Sequence, residues 1–167
     1  MTFHELNILP KEILSQELYK CCGSTTWVNK MISLFPMDDL VELLEDAEEL
    51  WFLCSEKDWR EAFSNHPKIG DRESMSKKFS ATTEWESDEQ SGVSNAPGEV
   101  IADLHRLNIE YEKKFGYIFI VNATGKNAAE ILSLLEERLS NAPEDEMPIA
   151  ADEQNKITSI RLQKLIT

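Results

Sequence analysis

Apolar residues recur along most of the chain at intervals of three and four, the spacing of helices with one buried face. Ser24 is placed to cap a helix in which Trp27, Met31 and Leu34 fall at i, i+4 and i+7, and Pro36 interrupts it. In MDDLVELLEDAEELWFLC (37–54), Leu40, Leu43, Leu44, Ala47, Leu50, Trp51 and Cys54 share one face, and the early aspartates suit a helix N-terminus. DWREAF (58–63) is strongly helical. Val100, Leu104, Leu107, Tyr111 and Phe115 form the next stripe, between Pro97 and Gly116, which can end the helix in a left-handed cap. Asn127 and Glu130 have capping-box spacing ahead of Ile131, Leu135 and Leu139. The last helix is expected over residues 153–166. YIFIV (117–121) is the one short run with strong β character. A single such run makes no sheet, so it reads as an extended connector packed against helices.

These elements predict an all-α fold: one domain over residues 1–167, a bundle of about seven to nine helices with one long functional loop. The loop is SNHPKIGDRESMSKKFSATTEWESDEQSGVSNAPG (64–98), rich in Ser, Gly, Pro and charge between two clear helices. Loops of this length are uncommon in compact domains and are often functional; a plain surface excursion is the alternative. A short helix within 82–90, capped by Thr82 or Thr83, is expected inside it.

The 167 residues are 41% hydrophobic and 29% charged, as in a soluble globular domain. No apolar run approaches the roughly 20 residues of a membrane helix. Neither end reads as a signal peptide, a prenylation signal or a peroxisomal tripeptide. A net charge of −14 argues against nucleic acid and anionic membranes as partners. Cys21, Cys22 and Cys54 are three in number with no CxxC, which points to a reducing, cytoplasmic setting. They read as small core residues, with a catalytic cysteine as the alternative.

Three histidines are present. His4 lies near a terminus and His105 lies mid-helix, on the surface or satisfied in the core. His66 stands in the long loop directly before Pro67, which biases it away from helical backbone angles. That predicts an exposed imidazole on a stiffened support, able to give or take a proton near neutrality. Glu89 and Gln90 follow in the same loop, where a carboxylate beside an amide can read a polar ligand; alone, such a pair is ordinary surface. Arg161 falls between Ile157 and Leu165 on the inward stripe of the last helix and needs an anionic partner there. One of the 31 acidic side chains can serve, or a substrate carboxylate or carbonyl-rich ring that the guanidinium fork fits. No HExxH, Cys/His cluster, EF-hand loop or Gly-rich nucleotide motif occurs.

The chain resembles the OHCU decarboxylases, which act on 2-oxo-4-hydroxy-4-carboxy-5-ureidoimidazoline (OHCU) in uric acid breakdown. CCGSTTWVNKM, DWREAFSNHPKIG, DEQSGV, LNIEYEKKFGYIFIVNATGK, EILSLLEERLSNAPEDE and KITSIRLQKL fall in the family's order. The resemblance implies an all-helical fold, a homodimer, and neither a metal nor an organic cofactor. It implies that His66 is the catalytic histidine and proton donor, and that Glu89 and Gln90 are the active-site glutamate–glutamine pair. Arg161 is implied to bind substrate. Pro67, Glu86, Ser87, Asp88, Phe119, Ile120, Val121, Asn122 and Ala123 are implied to line the pocket, the last five partly through backbone groups. The stretch between His66 and Glu89 is a few residues longer than usual, and Asn122 and Thr124 replace the family's commoner residues.

The activity so implied is a carbon–carbon lyase reaction, a cofactor-free decarboxylation of OHCU to (S)-allantoin. Two rivals stand beside it. One is a hydrolase of a related ureide on the same scaffold; the other is a non-catalytic acidic helical interaction module.

Overall fold

The computed structural model of the chain describes residues 1–67 and 97–167, which form eight helices and no strand. The all-α expectation holds. The described residues fall into two compact units, Met1–Ala62 with Gln154–Thr167, and Phe63–Glu153. Among them, no helix is long and apolar enough to cross a membrane.

The first unit holds α1 (Phe3–Asn7), α2 (Lys11–Cys21), α3 (Thr25–Ile32), α4 (Leu40–Phe52) and most of α5 (Glu56–Ser64). Apart from α2, which follows Pro10, its helices start where short polar side chains take the first N–H groups. Ser24 accepts from the Trp27 N–H and Asp39 from the Glu42 N–H, as their positions predicted. At the head of α5, Ser55 and Asp58 cap each other: the Asp58 N–H donates to Ser55 Oγ at 3.3 Å and the Ser55 N–H to Asp58 Oδ2 at 3.0 Å. Asp58 also accepts from Thr26 Oγ1 at 2.7 Å. Helix α3 packs on both α2 and α4, and the buried Trp27 indole donates to the Ala47 carbonyl at 2.9 Å. Helix α3 is shorter than its apolar spacing predicted. Ser33 Oγ turns back onto the Lys30 carbonyl at 2.6 Å, so the helix stops and Leu34 is left 41% exposed. The Phe35–Pro36 peptide that follows is cis.

The second unit holds α6 (Gly98–Phe115) and α7 (Ala128–Leu139), packed on each other, and the first part of α8 (Pro143–Leu165). Gly116 ends α6 at φ 83°, the left-handed cap its position foretold. The Asn127 side chain accepts from the Glu130 N–H and starts α7. Helix α8 begins at Pro143, well ahead of the expected residue 153, and runs through Pro148. A proline is at home at a first helical position, and Glu144, Asp145 and Glu146 favour the positive helix end. Pro148 is exposed, so its ring sits on the outer side of the helix. Its presence is what concealed the true start of the helix. Leu139 is half-buried, and Arg138 takes the inward place beside it.

Candidate functional site: a gripped connector and a buried histidine

Residues 117–127 join α6 to α7 without regular secondary structure. This is the connector that YIFIV predicted. Tyr117, Phe119, Ile120, Val121 and Ala123 are buried on it, and Asn122 is partly so. Aromatic rings hold its first half. Tyr111 of α6 meets Phe115 at 4.5 Å, Phe119 at 5.3 Å and Tyr117 at 5.9 Å between ring centroids. Phe63, at the end of α5, meets Tyr117 at 5.2 Å.

Behind the rings lies a buried charge network. Arg138 is 6% exposed and Glu146 fully buried, with Nη2 and Oε1 2.6 Å apart. Arg138 Nε donates to the same oxygen at 2.7 Å, and Asn141 Nδ2 donates to Glu146 Oε2 at 2.9 Å. The Tyr111 hydroxyl donates to Glu146 Oε1 at 2.5 Å. Burial pushes the Tyr111 phenol well above its usual value against the opposing pull of Arg138, so it stays a donor. Arg138 also lies over the Phe119 ring at 4.5 Å. Its remaining arm, Nη1, donates to the Ile120 carbonyl in a short bond. Two further charged side chains reach the connector. Glu153 Oε2 accepts from the Asn122 N–H at 2.7 Å, and Lys126 Nζ donates to the Asn122 carbonyl at 2.9 Å. Among the described residues, no acceptor is paired with the backbone N–H groups of Val121 and Ala123. An unpaired N–H on a residue only 5% exposed is uncommon in a native fold.

His66 and Pro67 follow the end of α5, and the His66 N–H donates to the Phe63 carbonyl at 3.2 Å. The expectation of an exposed imidazole is corrected: His66 is 8% exposed, and Pro67 is buried with it. The turn that leaves α5 is tied to Phe63, whose ring is itself in the aromatic cluster, so the residues after the helix are drawn in rather than out. His4 and His105 are both exposed.

The second unit therefore holds His66, Pro67, Phe119, Ile120, Val121, Asn122 and Ala123 together in one compact body. Arg161 belongs to the first unit, on α8. It is 5% exposed, and its Nη1 donates to the Lys20 carbonyl at 3.2 Å, near the end of α2. Glu86, Ser87, Asp88, Glu89 and Gln90, and the short helix expected over 82–90, lie outside the described residues. The cysteines are buried and form no disulfide, as core residues would. Burial pushes the Cys22 thiol far above its usual value and that of Cys54 up as well, which makes poor nucleophiles of both. No group of three His, Cys, Asp or Glu among the described residues is placed to hold a metal ion. A cleft of about 180 Å³ in the first unit, lined by Glu45, Glu48, Asn155 and Thr158 among others, contains none of the predicted site residues.

Arg138, Glu146, Lys126 and Glu153 escaped the sequence reading. Arg138 had the same signal as Arg161: it follows Ile131 and Leu135 at i+7 and i+3, on the inward stripe of its helix. The grip of Lys126 and Glu153 on the connector backbone has no such signature.

The sequence profile of OHCU decarboxylase matches residues 7–163, nearly the whole chain. The chain belongs to the OHCU decarboxylase family. The uric acid degradation bifunctional protein TTL of Arabidopsis thaliana is 37% identical over 157 residues, which are 93% of this chain and 48% of that protein. The 2-oxo-4-hydroxy-4-carboxy-5-ureidoimidazoline decarboxylase of Amia calva is 35% identical over 101 residues, 60% of this chain and 57% of that one. The chain thus spans about half the length of these curated relatives. A crystal structure of OHCU decarboxylase in the presence of (S)-allantoin is similar to this family member with a TM-score of 0.76. The two are 37% identical, and the match covers 89% of this chain and 96% of that one.

Proposed function

We propose that the protein is a carboxy-lyase that converts OHCU to (S)-allantoin in urate degradation. The observation that carries this is the likeness to a decarboxylase crystallised with (S)-allantoin, at 37% identity over 96% of that chain. The chemistry suits the parts. In OHCU the carbon bearing the carboxylate adjoins a ring C=N. As CO₂ leaves, the electron pair of the broken C–C bond moves into that C=N system, so the substrate carries its own electron sink. The enol-like species that results takes a proton on one face and becomes (S)-allantoin. A fixed proton donor therefore governs both rate and handedness.

In this reading His66 supplies or relays the proton, and its burial keeps bulk water from competing for the reacting carbon. Glu89 and Gln90 orient the polar edge of the ring, with Glu86, Ser87 and Asp88 in the same wall. Arg161 helps to hold the ring and its ureido arm. Pro67 and residues 119–123 line the pocket. The N–H groups of Val121 and Ala123, which have no acceptor among the described residues, are ready donors for the ring and its ureido arm. The buried thiols support a reducing, cytoplasmic setting, and the family resemblance supports a homodimer of one domain.

The test uses OHCU freshly generated from urate by the two preceding reactions, with the product followed by circular dichroism. The protein is expected to give a rapid burst of one allantoin enantiomer. His66→Ala is expected to slow that burst by about 10²- to 10⁴-fold with the helical far-UV signal intact. A variant as fast as the parent would remove His66 from the mechanism. Ureide hydrolysis without decarboxylation would replace the lyase by the hydrolase.

A further inference from the structure

Three consecutive peptide groups of the connector are each held by a charged side chain. Arg138 Nη1 takes the Ile120 carbonyl, Glu153 Oε2 takes the Asn122 N–H, and Lys126 Nζ takes the Asn122 carbonyl. These peptides are trans, so the C=O and N–H of each point in opposite directions. Holding one end of a peptide plane fixes the other. Arg138 thereby aims the Val121 N–H, Lys126 aims the Ala123 N–H, and Glu153 aims the Val121 carbonyl. Both N–H groups so aimed belong to buried residues of the connector and are among its donors that no described acceptor satisfies. Ordinary packing gives no reason to hold an irregular segment by three charges and leave its own donors unpaired. A hydrogen-bonding ligand with acceptor atoms does.

We propose that Glu153 and Lys126, with Arg138 behind them, are positioning residues of the decarboxylase. They set the angle at which the backbone of residues 121–123 meets the carbonyl-bearing ring or ureido arm of the substrate. The proposal rests on the reading that this segment binds OHCU. None of the three side chains needs to touch the substrate. Glu153 and Lys126 are only partly buried, so their replacement leaves the core intact, whereas Arg138 is bound into the network around Glu146.

The test measures kcat and KM for Glu153→Ala, Glu153→Gln and Lys126→Met in the intact protein, with Tm recorded for each. Glu153→Ala is expected to raise KM about tenfold, the loss of roughly one aimed hydrogen bond, with a smaller change in kcat. Glu153→Gln keeps an oxygen acceptor at the same reach and is expected to recover most of that loss. Lys126→Met is expected to raise KM in the same sense. A parental KM in both Glu153→Ala and Lys126→Met would overturn the proposal while leaving the lyase intact. So would equal losses in Glu153→Ala and Glu153→Gln that follow their Tm values, the mark of a structural role. A parent protein that makes no allantoin would sink the functional reading and this proposal together.

Discussion

Two arginines, one in each unit, occupy the same kind of sequence position and have different surroundings. Arg138 and Arg161 both interrupt the apolar stripe of a helix, and both are almost fully buried, at 6% and 5% exposure. Arg138 meets a fully buried carboxylate, Glu146, and spends its remaining arm on the Ile120 carbonyl. Arg161 reaches the Lys20 carbonyl near the end of α2 and stands in the family's RL motif near the end of the chain. A guanidinium on an inward stripe is thus evidence of a buried anion or acceptor, and not yet of a substrate. At Arg138 that anion is an acidic side chain of the protein itself, Glu146.

The sharpest way to break this comparison is to remove each guanidinium. Arg138→Ala strands a buried carboxylate and is expected to destabilise the protein by about 3–5 kcal/mol in denaturant unfolding. Arg138 and Glu146 replaced together by apolar residues of like volume should lose far less, because no charge is left behind. Arg161→Ala is expected to raise KM for OHCU by roughly ten- to a hundredfold, as loss of a charge-assisted contact would. An unchanged KM, with a stability loss like that of Arg138→Ala, would make the two arginines one kind. Tyr111→Phe removes a single donor from Glu146 and is expected to cost about 1–3 kcal/mol. The folded-state value of Tyr111 lies above its unfolded value. Its contribution is therefore whole below about pH 10 and is lost as the pH rises beyond that. In Tyr111→Phe this alkaline loss should shrink.

The smallest effect belongs to Asp58 of the first unit. Burial raises its carboxyl, but hydrogen bonds from Thr26 and Ser55 and the charge of Lys30 outweigh that and leave it below the ordinary value. Its contribution is present above the unfolded value of about 3.9 and fades as the pH falls through the folded one. Asp58→Asn is expected to lower stability by about 1 kcal/mol at pH 7 and to flatten the acid limb of the Tm–pH profile. An unaltered acid limb would assign acid sensitivity to other carboxylates.

The legibility of the fold followed the range of the interactions involved. Ser24, Asp39, Asn127 and Gly116 were readable because a cap acts within one turn of its own helix. Helix α8 was misread at its start because Pro148 is a breaker in most contexts and is tolerated where its ring faces outward. In the candidate site, HPKIG and the terminal RL pointed to residues, whereas the burial of His66 went against expectation. A proline fixes local backbone angles and says nothing of which way the turn packs.

The chain's own order of residues determined helix as the form, since apolar spacing, caps and breakers are local quantities. It also determined the family, through motifs spread over almost the whole length. Tertiary structure alone decided that Arg138 belongs to Glu146, that Glu153 and Lys126 hold the peptides around Val121, and that His66 is sheltered from water. Those pairings join residues of different helices, or join a side chain to a backbone group. Backbone groups are the same in every residue, so no pattern of side chains announces which of them will be held.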